Sequence, residues 1–483
     1  MRPLKSPRDN PGVLLMFVKW IGRGTTSVIV LACVMVVAWA LSLRAAQDSA
    51  RGADEEVFAA TPPMGWNSWD AYGETVSESD IKANAAWMAE HLKAYGWEYV
   101  VVDSGWYVTN HSVGENAAAA QFSLDKFGRY TPALNTIPSA ENGAGFKPLA
   151  DYVHSLGLKF GIHILRGIPR EAVRRNLPIA GSAFRAKAAA DITDTCPWNP
   201  FNYGLRIHAR AAQAYYDSVI RLYADWGVDF LKVDCISSHP YKGEEIRMIS
   251  AALHKIHRPI VLSLSPGPSP LEKASELSRY AQMWRISDDI WDVWRSDKDF
   301  PQGVGNQFAR AAKWAEFSRP GHWPDADMLP LGRLEPSAGW DNPRASRLTR
   351  DEQRTLLTLW SIFRSPLIMG GNLTLCDDWT ESALTNAELI AVDQHSIGSH
   401  AAVSTEKGAV WISTPESENG VYVALFNLDA ATQSLHYTWS DLGLQRTTYK
   451  LRDIWEHQDL GAKEFVEVTL PPHGSAIYWA ADR

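Results

Sequence analysis

The chain has 483 residues, of which 46% are hydrophobic and 21% are charged, a composition typical of a globular protein and not of a disordered one. This length suffices for one large domain and a smaller one. The formal net charge of −8 argues against a nucleic-acid-binding protein, which would need a basic stripe.

The N-terminal segment has the pattern of an export signal. Residues 1–24 form a basic region, and residues 25–43 (TTSVIVLACVMVVAWALSL) carry no charge. A basic segment followed by an apolar one is typical of export, and this apolar run is just long enough to span a bilayer. We therefore expect a signal-peptide core or a membrane anchor at 25–43, followed by a secreted or periplasmic chain. The small, polar or acidic residues 44–60 are predicted to be a linker.

Beyond Cys33 the chain has three cysteines, Cys196, Cys235 and Cys376, so at most one disulfide can form among them. No pair of cysteines or histidines has the spacing of a structural zinc site. The sequence predicts neither a disulfide-rich scaffold nor a metal site, and no cofactor is expected.

Between residues 61 and 395, short apolar runs alternate with helix-like segments. Two of these segments, 77–96 and 210–227, end in glycine, a frequent helix stop. Eight apolar runs have the pattern of buried strands: 63–69, 99–106, 158–165, 228–235, 259–266, 282–289, 322–329 and 365–371. Eight strands separated by helices predict a (β/α)₈ TIM barrel. A doubly wound open sheet is the alternative, but residues 65–73 (GWNSWDAYG) lack the glycine-rich phosphate turn that it would need.

The remaining residues, 396–483, have a different pattern. Their apolar and polar residues alternate between turn signals, as in 408–416 (GAVWISTPE) and 420–428 (GVYVALFNL). Such alternation is typical of antiparallel strands. We predict a C-terminal antiparallel β-sandwich domain.

Acidic residues stand where several of the predicted barrel strands end. They follow the second, fourth, sixth and seventh strands: Asp103, Asp234, Asp288, Asp289, Asp325 and Asp327. Active sites of barrel enzymes lie at this end of the strands. A role as loop residues or helix N-caps would explain one or two of these acids, but four strands ending alike favours a functional site.

Alternation along the fourth strand places Phe230, Lys232 and Asp234 on one face, and Leu231 and Val233 on the other. Valine and leucine suit the helix-packed outside, so Lys232 and Asp234 are expected to face the barrel mouth. A lysine beside an aspartate favours the ionised carboxylate that a nucleophile needs. The alternative is a structural ion pair.

Residues 284–292 (WRISDDIWD) place Arg285 and Asp289 on one face if the strand extends that far. An arginine favours the ionised form of a neighbouring acid, which suits a proton donor badly. Either burial of Asp289 offsets this effect, or Arg285 faces the nucleophile or the substrate instead.

Two positioned carboxylates in a concave, aromatic-rich pocket suggest glycoside hydrolysis. Most of the 21 tryptophans are expected in the core, and a minority at loop ends would suit the C–H faces of sugar rings. Metal-assisted hydrolysis through Asp103, Asp234 and Asp327 is the rival hypothesis. The lack of converging histidines and the position of Lys232 beside Asp234 both count against it.

Seven motifs, in chain order, resemble the retaining α-galactosidase and α-N-acetylgalactosaminidase family, glycoside hydrolase family 27. They are PPMGWNSWDAYG (62–73), VVDSGW (101–106), GLKFGIH (157–163), FLKVDC (230–235), WRISDDIWD (284–292), WPDADML (323–329) and LWSIFRSPLIMGGNL (359–373). The resemblance implies double displacement with retention, with Asp234 as nucleophile and Asp289, not Asp288, as acid/base. Asp288 and Asp292 are then loop acids. The resemblance also implies sugar contacts from Trp69, Asp103, Lys232, Arg285, Asp327 and Met328.

Three positions depart from the family pattern and concern the substrate. The family usually has two adjacent aspartates at the second strand, which bind O4 and O6 of galactose, whereas here Ser104 follows Asp103. At the fifth strand, Ser265 and small neighbours replace a glutamate and a bulky residue, as in members that accept an N-acetyl group. His163 replaces the usual tyrosine of the third strand. Loss of a charged acceptor for a substrate hydroxyl weakens discrimination.

The sequence therefore predicts an exported exo-glycoside hydrolase that cleaves terminal α-galactosyl residues from an oligosaccharide or polysaccharide. One alternative is an enzyme with the same fold and mechanism that acts on an α-N-acetylgalactosaminide, a β-L-arabinopyranoside or an isomalto-type α-glucan. A catalytically silent sugar-binding protein is another, and retention of both motif carboxylates argues against it. No nucleic-acid partner is expected.

Overall fold

The computed structural model describes residues 58–110, 119–334, 342–417 and 419–482. The predicted basic region, the apolar run 25–43 and most of the predicted linker lie outside the described residues. From Phe58 onward the chain forms one compact unit. Within the four described ranges, no helix is long and apolar enough to cross a membrane.

Eight parallel strands form a barrel: β1 (Met64–Asn67), β2 (Tyr99–Val102), β3 (Lys159–Leu165), β4 (Phe230–Asp234), β5 (Val261–Leu264), β6 (Met283–Arg285), β7 (Trp323–Asp325) and β8 (Leu367–Met369). β1 to β7 pair in succession, and β8 pairs with β1. The sheet closes just beyond β7, where the N–H of Leu329 donates to the carbonyl of Ile368 at 2.8 Å and Leu329 bridges to Met369 in parallel. This closure confirms the predicted barrel and excludes the open sheet.

Each of the eight predicted runs contains one of these strands, but the strands are shorter than the runs. The strands predicted over 282–289 and 322–329 are too long, because β6 ends at Arg285 and β7 ends at Asp325. The chain turns beyond β7, where Asp327 has a φ of 91°, a conformation foreign to strands. These early strand ends leave the acids that follow them in loops at the barrel mouth.

A helix follows each barrel strand: α1 (Glu78–His91), α2 (Lys147–Ser155), α3 (Arg210–Asp225), α4 (Gly243–Leu253), α5 (Ala274–Tyr280), α6 (Val304–Trp314), α7 (Arg350–Phe363) and α8 (Ala387–Gln394). Further helices are Trp69–Tyr72, Arg170–Arg174, Ala186–Ala189 and Asp378–Leu384. α1 begins with a capping box between Ser77 and Asp80, which satisfies two free N–H groups. Beyond α3, Gly227 has a φ of 89° and its N–H donates to Ala224 at 3.0 Å, so the glycine pattern correctly predicts this helix end.

The lower barrel interior is apolar. It includes the inward-facing side chains of Tyr99, Val101, Phe230, Val261, Met283 and Ile368, which pack into one cluster with Met328. Leu231 and Val233 belong instead to the core packed beneath the helices, as alternation along β4 predicts. Lys232 therefore lies on the inner face, one strand repeat above Phe230, where the barrel opens.

An insertion between β3 and α3 folds beside the barrel mouth. It contains a three-stranded antiparallel sheet of Ile168–Pro169, Asn202–Leu205 and Ala190–Thr195, with Asn202–Leu205 in the middle. A disulfide joins Cys196 of the insertion to Cys235, just after β4, while Cys376 is free. The insertion is thus bound covalently to the end of a barrel strand.

The C-terminal strands are β9 (Ser396–Ser404), β10 (Gly408–Pro415), β11 (Gly420–Asn427), β12 (Gln433–Thr438), β13 (Tyr449–Asp453), β14 (Gln458–Lys463), β15 (Phe465–Leu470) and β16 (Ser475–Ala481). They form one sheet in the order β9-β10-β11-β16-β13-β14 and a second sheet of β12 and β15. Apolar side chains from both sheets, such as Leu425 and Val466, pack into one cluster. This arrangement confirms the predicted β-sandwich.

Candidate active site

A pocket lies at the carboxyl ends of the barrel strands, above the apolar layer. Its base includes Val101, Phe230 and Ile368. Its polar lining combines two cations, two acids and smaller groups: Lys232, Arg285, Asp325, Asp327, Asn67, Ser263 and Ser265. Met283 and Met328 complete the lining. The predicted residues Lys232, Ser265, Arg285, Asp327 and Met328 are therefore brought together.

Lys232 pairs directly with Asp103, not with Asp234. Its Nζ lies 2.8 Å from Asp103 Oδ2, which also accepts a hydrogen bond from Asn67 Nδ2 at 2.7 Å. Burial would raise the pKa of the Asp103 carboxyl, but the charge of Lys232 lowers that pKa well below its ordinary value. The charge of Lys232 still lowers the pKa of Asp234, as expected from the sequence, although its ion pair is with Asp103. Side chains of one barrel layer come from alternate strands, which brings Lys232 of β4 to the residue after β2.

Asp234 has three nitrogen neighbours. Its Oδ1 accepts the N–H of Cys235 at 2.7 Å, and its Oδ2 lies 3.5 Å from His163 Nε2 and 3.4 Å from Trp198 Nε1. Burial alone would raise the pKa of the Asp234 carboxyl. His163, followed by Lys232 and the Cys235 N–H, more than offsets burial and lowers that pKa. Asp234 is therefore held as a carboxylate.

Arg285 is shared between two acids at the pocket wall. It lies 2.7 Å from Asp327 Oδ2 and 3.0 Å from Asp289 Oδ1. The side chains of Arg285 and Asp327 are each 2% exposed, whereas that of Asp289 is 36% exposed. Burial, and then the charges of Asp289 and Asp325, raise the pKa of Asp327 although Arg285 opposes the rise.

The contact between Arg285 and Asp289 does not depend on strand alternation. β6 ends at Arg285, and the guanidinium also donates to the carbonyl of Ser287 at 3.2 Å, so the chain folds back towards it. The predicted proximity is confirmed, but the reason is a turn. Arg285 Nε is buried and has no hydrogen-bond partner among the described residues.

None of the three acids of residues 284–292 belongs to the pocket lining, and Asp289 adjoins it through Arg285. Asp288 contacts His239 Nε2 at 3.1 Å. Asp292 is buried and is held by Arg344 at 2.7 Å and Arg347 at 3.0 Å. Asp292 is thus a structural acid that fixes the following segments.

The remaining predicted residues lie next to the pocket lining. Trp69 is half-buried and packs against the apolar layer, and its N–H donates to Asn67 Oδ1 at 2.9 Å. Ser104 is buried and its N–H donates to Asp103 Oδ1 at 2.8 Å. His163 reaches the site through Asp234, and its Nδ1 has no partner among the described residues.

Some lining residues were missed by the sequence reasoning. Ser263 lies two residues before the predicted Ser265, so strand alternation could have predicted it, and Asn67 stands in the GWNSW motif. Asp325 was recognised as an acid at a strand end but not as a lining residue. Trp198 gave no signal, because it belongs to the insertion, whose disulfide and ion pairs bring it to Asp234. In the part of the chain that the structure describes, no three His, Cys, Asp or Glu side chains converge as metal ligands.

Comparisons with known proteins agree with this architecture. The family model described as "Alpha galactosidase A" matches residues 208–395, and the model of the "Alpha galactosidase C-terminal beta sandwich domain" matches residues 405–480. An alpha-galactosidase A from Cellvibrio japonicus is 29% identical over 442 residues, covering 87% of this chain and 92% of its own. An alpha-galactosidase from Cyamopsis tetragonoloba is 29% identical, covering 86% and 85%.

Solved structures include more similar chains. The β-L-arabinopyranosidase of glycoside hydrolase family 27 from Geobacillus stearothermophilus is 46% identical, with a TM-score of 0.82 and coverage of 88% of this chain and 97% of its own. A putative alpha-N-acetylgalactosaminidase from Bacillus halodurans is 41% identical, with a TM-score of 0.77 and coverage of 88% and 98%. With this identity over almost the full length of a family member, and with the barrel, the β-sandwich and the acid-lined pocket in place, the chain belongs to glycoside hydrolase family 27 and is a glycosidase.

Proposed function

We propose that the protein is a retaining exo-hydrolase that removes terminal α-galactosyl residues or the corresponding pentosyl residues, β-L-arabinopyranosyl groups. The two sugars share their ring configuration and differ in the hydroxymethyl group on C5. The observation that carries the proposal is the pair of carboxylates, Asp234 and Asp289, at the ends of two strands beside one closed-bottomed pocket. The apolar base suits a single terminal sugar and not a long chain passing through.

Asp234 is assigned as nucleophile. Its lowered pKa keeps the oxygen that attacks the anomeric carbon unprotonated. Asp289, which is more exposed, donates a proton to the departing oxygen, and a glycosyl ester forms on Asp234. Asp289 then removes a proton from the water that cleaves this ester, so two inversions give net retention.

Charged groups on the pocket wall bind the sugar hydroxyls. The carboxylates of Asp103 and Asp327 accept hydrogen bonds, and the ammonium group of Lys232 donates them. The Nε of Arg285, which has no partner among the described residues, is a further donor. Buried polar groups are rarely left unpaired, so an unpartnered donor in a pocket lining supports a polar ligand.

A panel of nitrophenyl glycosides tests the proposal. We expect release of nitrophenol from the α-galactoside and the β-L-arabinopyranoside, and none from the α-glucoside, with Asp234→Asn as the inactive control. A preference for the α-glucoside or the α-N-acetylgalactosaminide would show that the enzyme removes a different terminal sugar from the one proposed. Lack of cleavage of every member of the panel would contradict the enzymatic assignment and favour a sugar-binding protein.

A specific observation favours the pentoside within this pair. Ser104 stands where the family resemblance implies the second of two aspartates that together bind O4 and O6 of galactose, and a pentopyranosyl group has no O6. The relative from Geobacillus stearothermophilus, at 46% identity, is a β-L-arabinopyranosidase. We propose that β-L-arabinopyranosides are the better substrates.

The variant Ser104→Asp tests this preference. A restored carboxylate should favour the galactoside, so the ratio of kcat/KM for the galactoside to that for the arabinopyranoside should rise roughly tenfold or more. Ser104→Ala is the control, because it removes the hydroxyl without adding an acceptor. An unchanged ratio in Ser104→Asp would show that this position does not select the sugar.

The basic and apolar pattern of residues 1–43 supports export, and we propose that the barrel acts outside the cytoplasm. Fusing residues 1–60 to a reporter that is active only after export tests this proposal. Replacing two apolar residues of the run 25–43 by lysine should abolish the reporter signal. A signal that survives this change would contradict the proposal.

A further inference from the structure

We infer that Trp198, His239 and Asp288 form a second sugar subsite, which binds the ring on the leaving-group side of the scissile bond. The inference rests on the proposed function, because it takes Asp234 and Asp289 as the residues that flank that bond. None of the three side chains belongs to the lining of the pocket that receives the terminal sugar. We name them the rim strip.

Trp198 is more exposed than the other tryptophans of the described residues. Its exposed fraction is 41%, whereas eight tryptophans, including Trp66 and Trp284, are less than 2% exposed. The indole N–H points to Asp234 Oδ2 at 3.4 Å, which places an apolar ring at the entrance to the pocket. An exposed aromatic face beside a polar edge is suited to stacking against the C–H face of a pyranose.

The rim strip continues from Trp198 towards the second carboxylate. The rings of Trp198 and His239 meet edge to face, with centroids 6.1 Å apart and planes at 84°. His239 Nε2 lies 3.1 Å and 3.2 Å from the two oxygens of Asp288, the residue before Asp289. The strip therefore extends from the nucleophile to the residue before the acid/base, and its Asp288 end adjoins the residue that protonates the leaving group.

The strip also offers polar groups beside the indole ring. The side chain of His239 is 44% exposed and that of Asp288 is 15% exposed, so an imidazole and a carboxylate border the indole face. One apolar face with a donor and an acceptor at its edge fits a pyranosyl ring with equatorial hydroxyls. The ligand class is therefore an oligosaccharide in which a second sugar follows the terminal one.

Trp198 is held in place before substrate arrives. The disulfide from Cys196 to Cys235 fixes its loop to the residue after Asp234. Asp194, two residues before Cys196, accepts hydrogen bonds from Arg166 at 2.8 Å and from Lys242 at 2.9 Å. A preorganised loop binds a ligand without first losing conformational freedom.

The variant Trp198→Ala tests the subsite with two substrates that share the terminal sugar. A galactosyl or arabinopyranosyl disaccharide places a sugar on the strip, whereas the glycosyl fluoride of the same terminal sugar leaves it empty. Loss of the indole N–H beside Asp234 lowers kcat/KM for both substrates alike, so the subsite is measured by the ratio of the two values. We expect kcat/KM for the disaccharide to fall roughly tenfold or more beyond the fall for the fluoride, mainly through KM. Trp198→Phe should keep most of the disaccharide activity, because the aromatic face remains.

Ile192→Ala is the matched control, since Ile192 is 60% exposed in the same insertion, and thermal melting verifies that each variant is folded. Equal losses on both substrates would contradict the subsite and give Trp198 a role in orienting Asp234. Full disaccharide activity in Trp198→Ala would also contradict it. Failure of the parent protein to cleave either substrate would instead overturn the proposed function.

Discussion

At the scale of single residues, three carboxylates of the site each lie beside a basic side chain. Asp103 has Lys232 at 2.8 Å, Asp234 has His163 at 3.5 Å, and Asp327 has Arg285 at 2.7 Å. Unpaired buried charges are costly, so these pairs let several acids gather at one barrel mouth. The outcome is a polar pocket above an apolar base.

Replacing His163 by phenylalanine should shift the pH profile of the enzyme. Burial raises the pKa of Asp234, and His163 is the largest influence that lowers it, so His163→Phe should raise this pKa. The acidic limb of kcat/KM, which reports ionisation of the free enzyme, should then move to higher pH. His163→Tyr is the control, because a phenol can donate a hydrogen bond again and should shift the limb less. Coincident acidic limbs in the parent and His163→Phe would contradict this assignment.

These residues could be identified from the sequence, but not all of their ion pairs could be predicted from it. The acids could be predicted because parallel strands end together and the motifs supply the register. The pairing of Lys232 with Asp103 requires knowing which strands share a layer of the barrel. Arg285 meets Asp289 through a turn whose path no alternation pattern describes.

At the scale of elements, the insertion between β3 and α3 determines what lies next to Asp234. Its disulfide joins Cys196 to Cys235, which lies 39 residues later in the chain. Its strands are short and partly polar, as in Ala190–Thr195 (ADITDT). The barrel strands were predictable because each is an apolar run, and the insertion was not predicted because its strands lack that signal.

Removing the disulfide should loosen the insertion and destabilise the protein. Cys196→Ala should lower the free energy of unfolding by about 2–4 kcal/mol, mainly because the unfolded chain gains freedom. Denaturant unfolding of the parent and the variant measures this difference. Cys376→Ala is the control, since Cys376 is free and should change stability little. Equal stabilities of the Cys196→Ala and Cys376→Ala variants would contradict a stabilising role for the disulfide.

At the scale of the whole molecule, the barrel and the β-sandwich share part of one core. Phe308 of α6 and Phe426 of β11 meet edge to face, with centroids 5.0 Å apart, and Phe363 of α7 meets Trp411 of β10 at 6.0 Å. The two folds could be predicted separately from their different patterns. Their shared core could not, because apolar patterns indicate which residues are buried but not against which partner.

This shared core predicts joint unfolding of the barrel and the β-sandwich. Calorimetry of residues 58–483 should show one transition, and Phe426→Ala should lower the free energy of unfolding by about 3–5 kcal/mol without splitting that transition. Phe465→Ala is the control, because Phe465 is 39% exposed. Two separated transitions in the parent protein would contradict a common core.

The central claim is that Asp234 is the nucleophile of a retaining glycosidase, and trapping the glycosyl ester tests it most directly. The protein is incubated with a 5-fluoro glycosyl fluoride of its preferred sugar, and intact-mass and peptide mass spectrometry locate the adduct. We predict one fluoroglycosyl group per chain, attached to Asp234 and absent from Asp234→Asn. An adduct on another carboxylate, or turnover of the reagent to an inverted product without any adduct, would contradict the account.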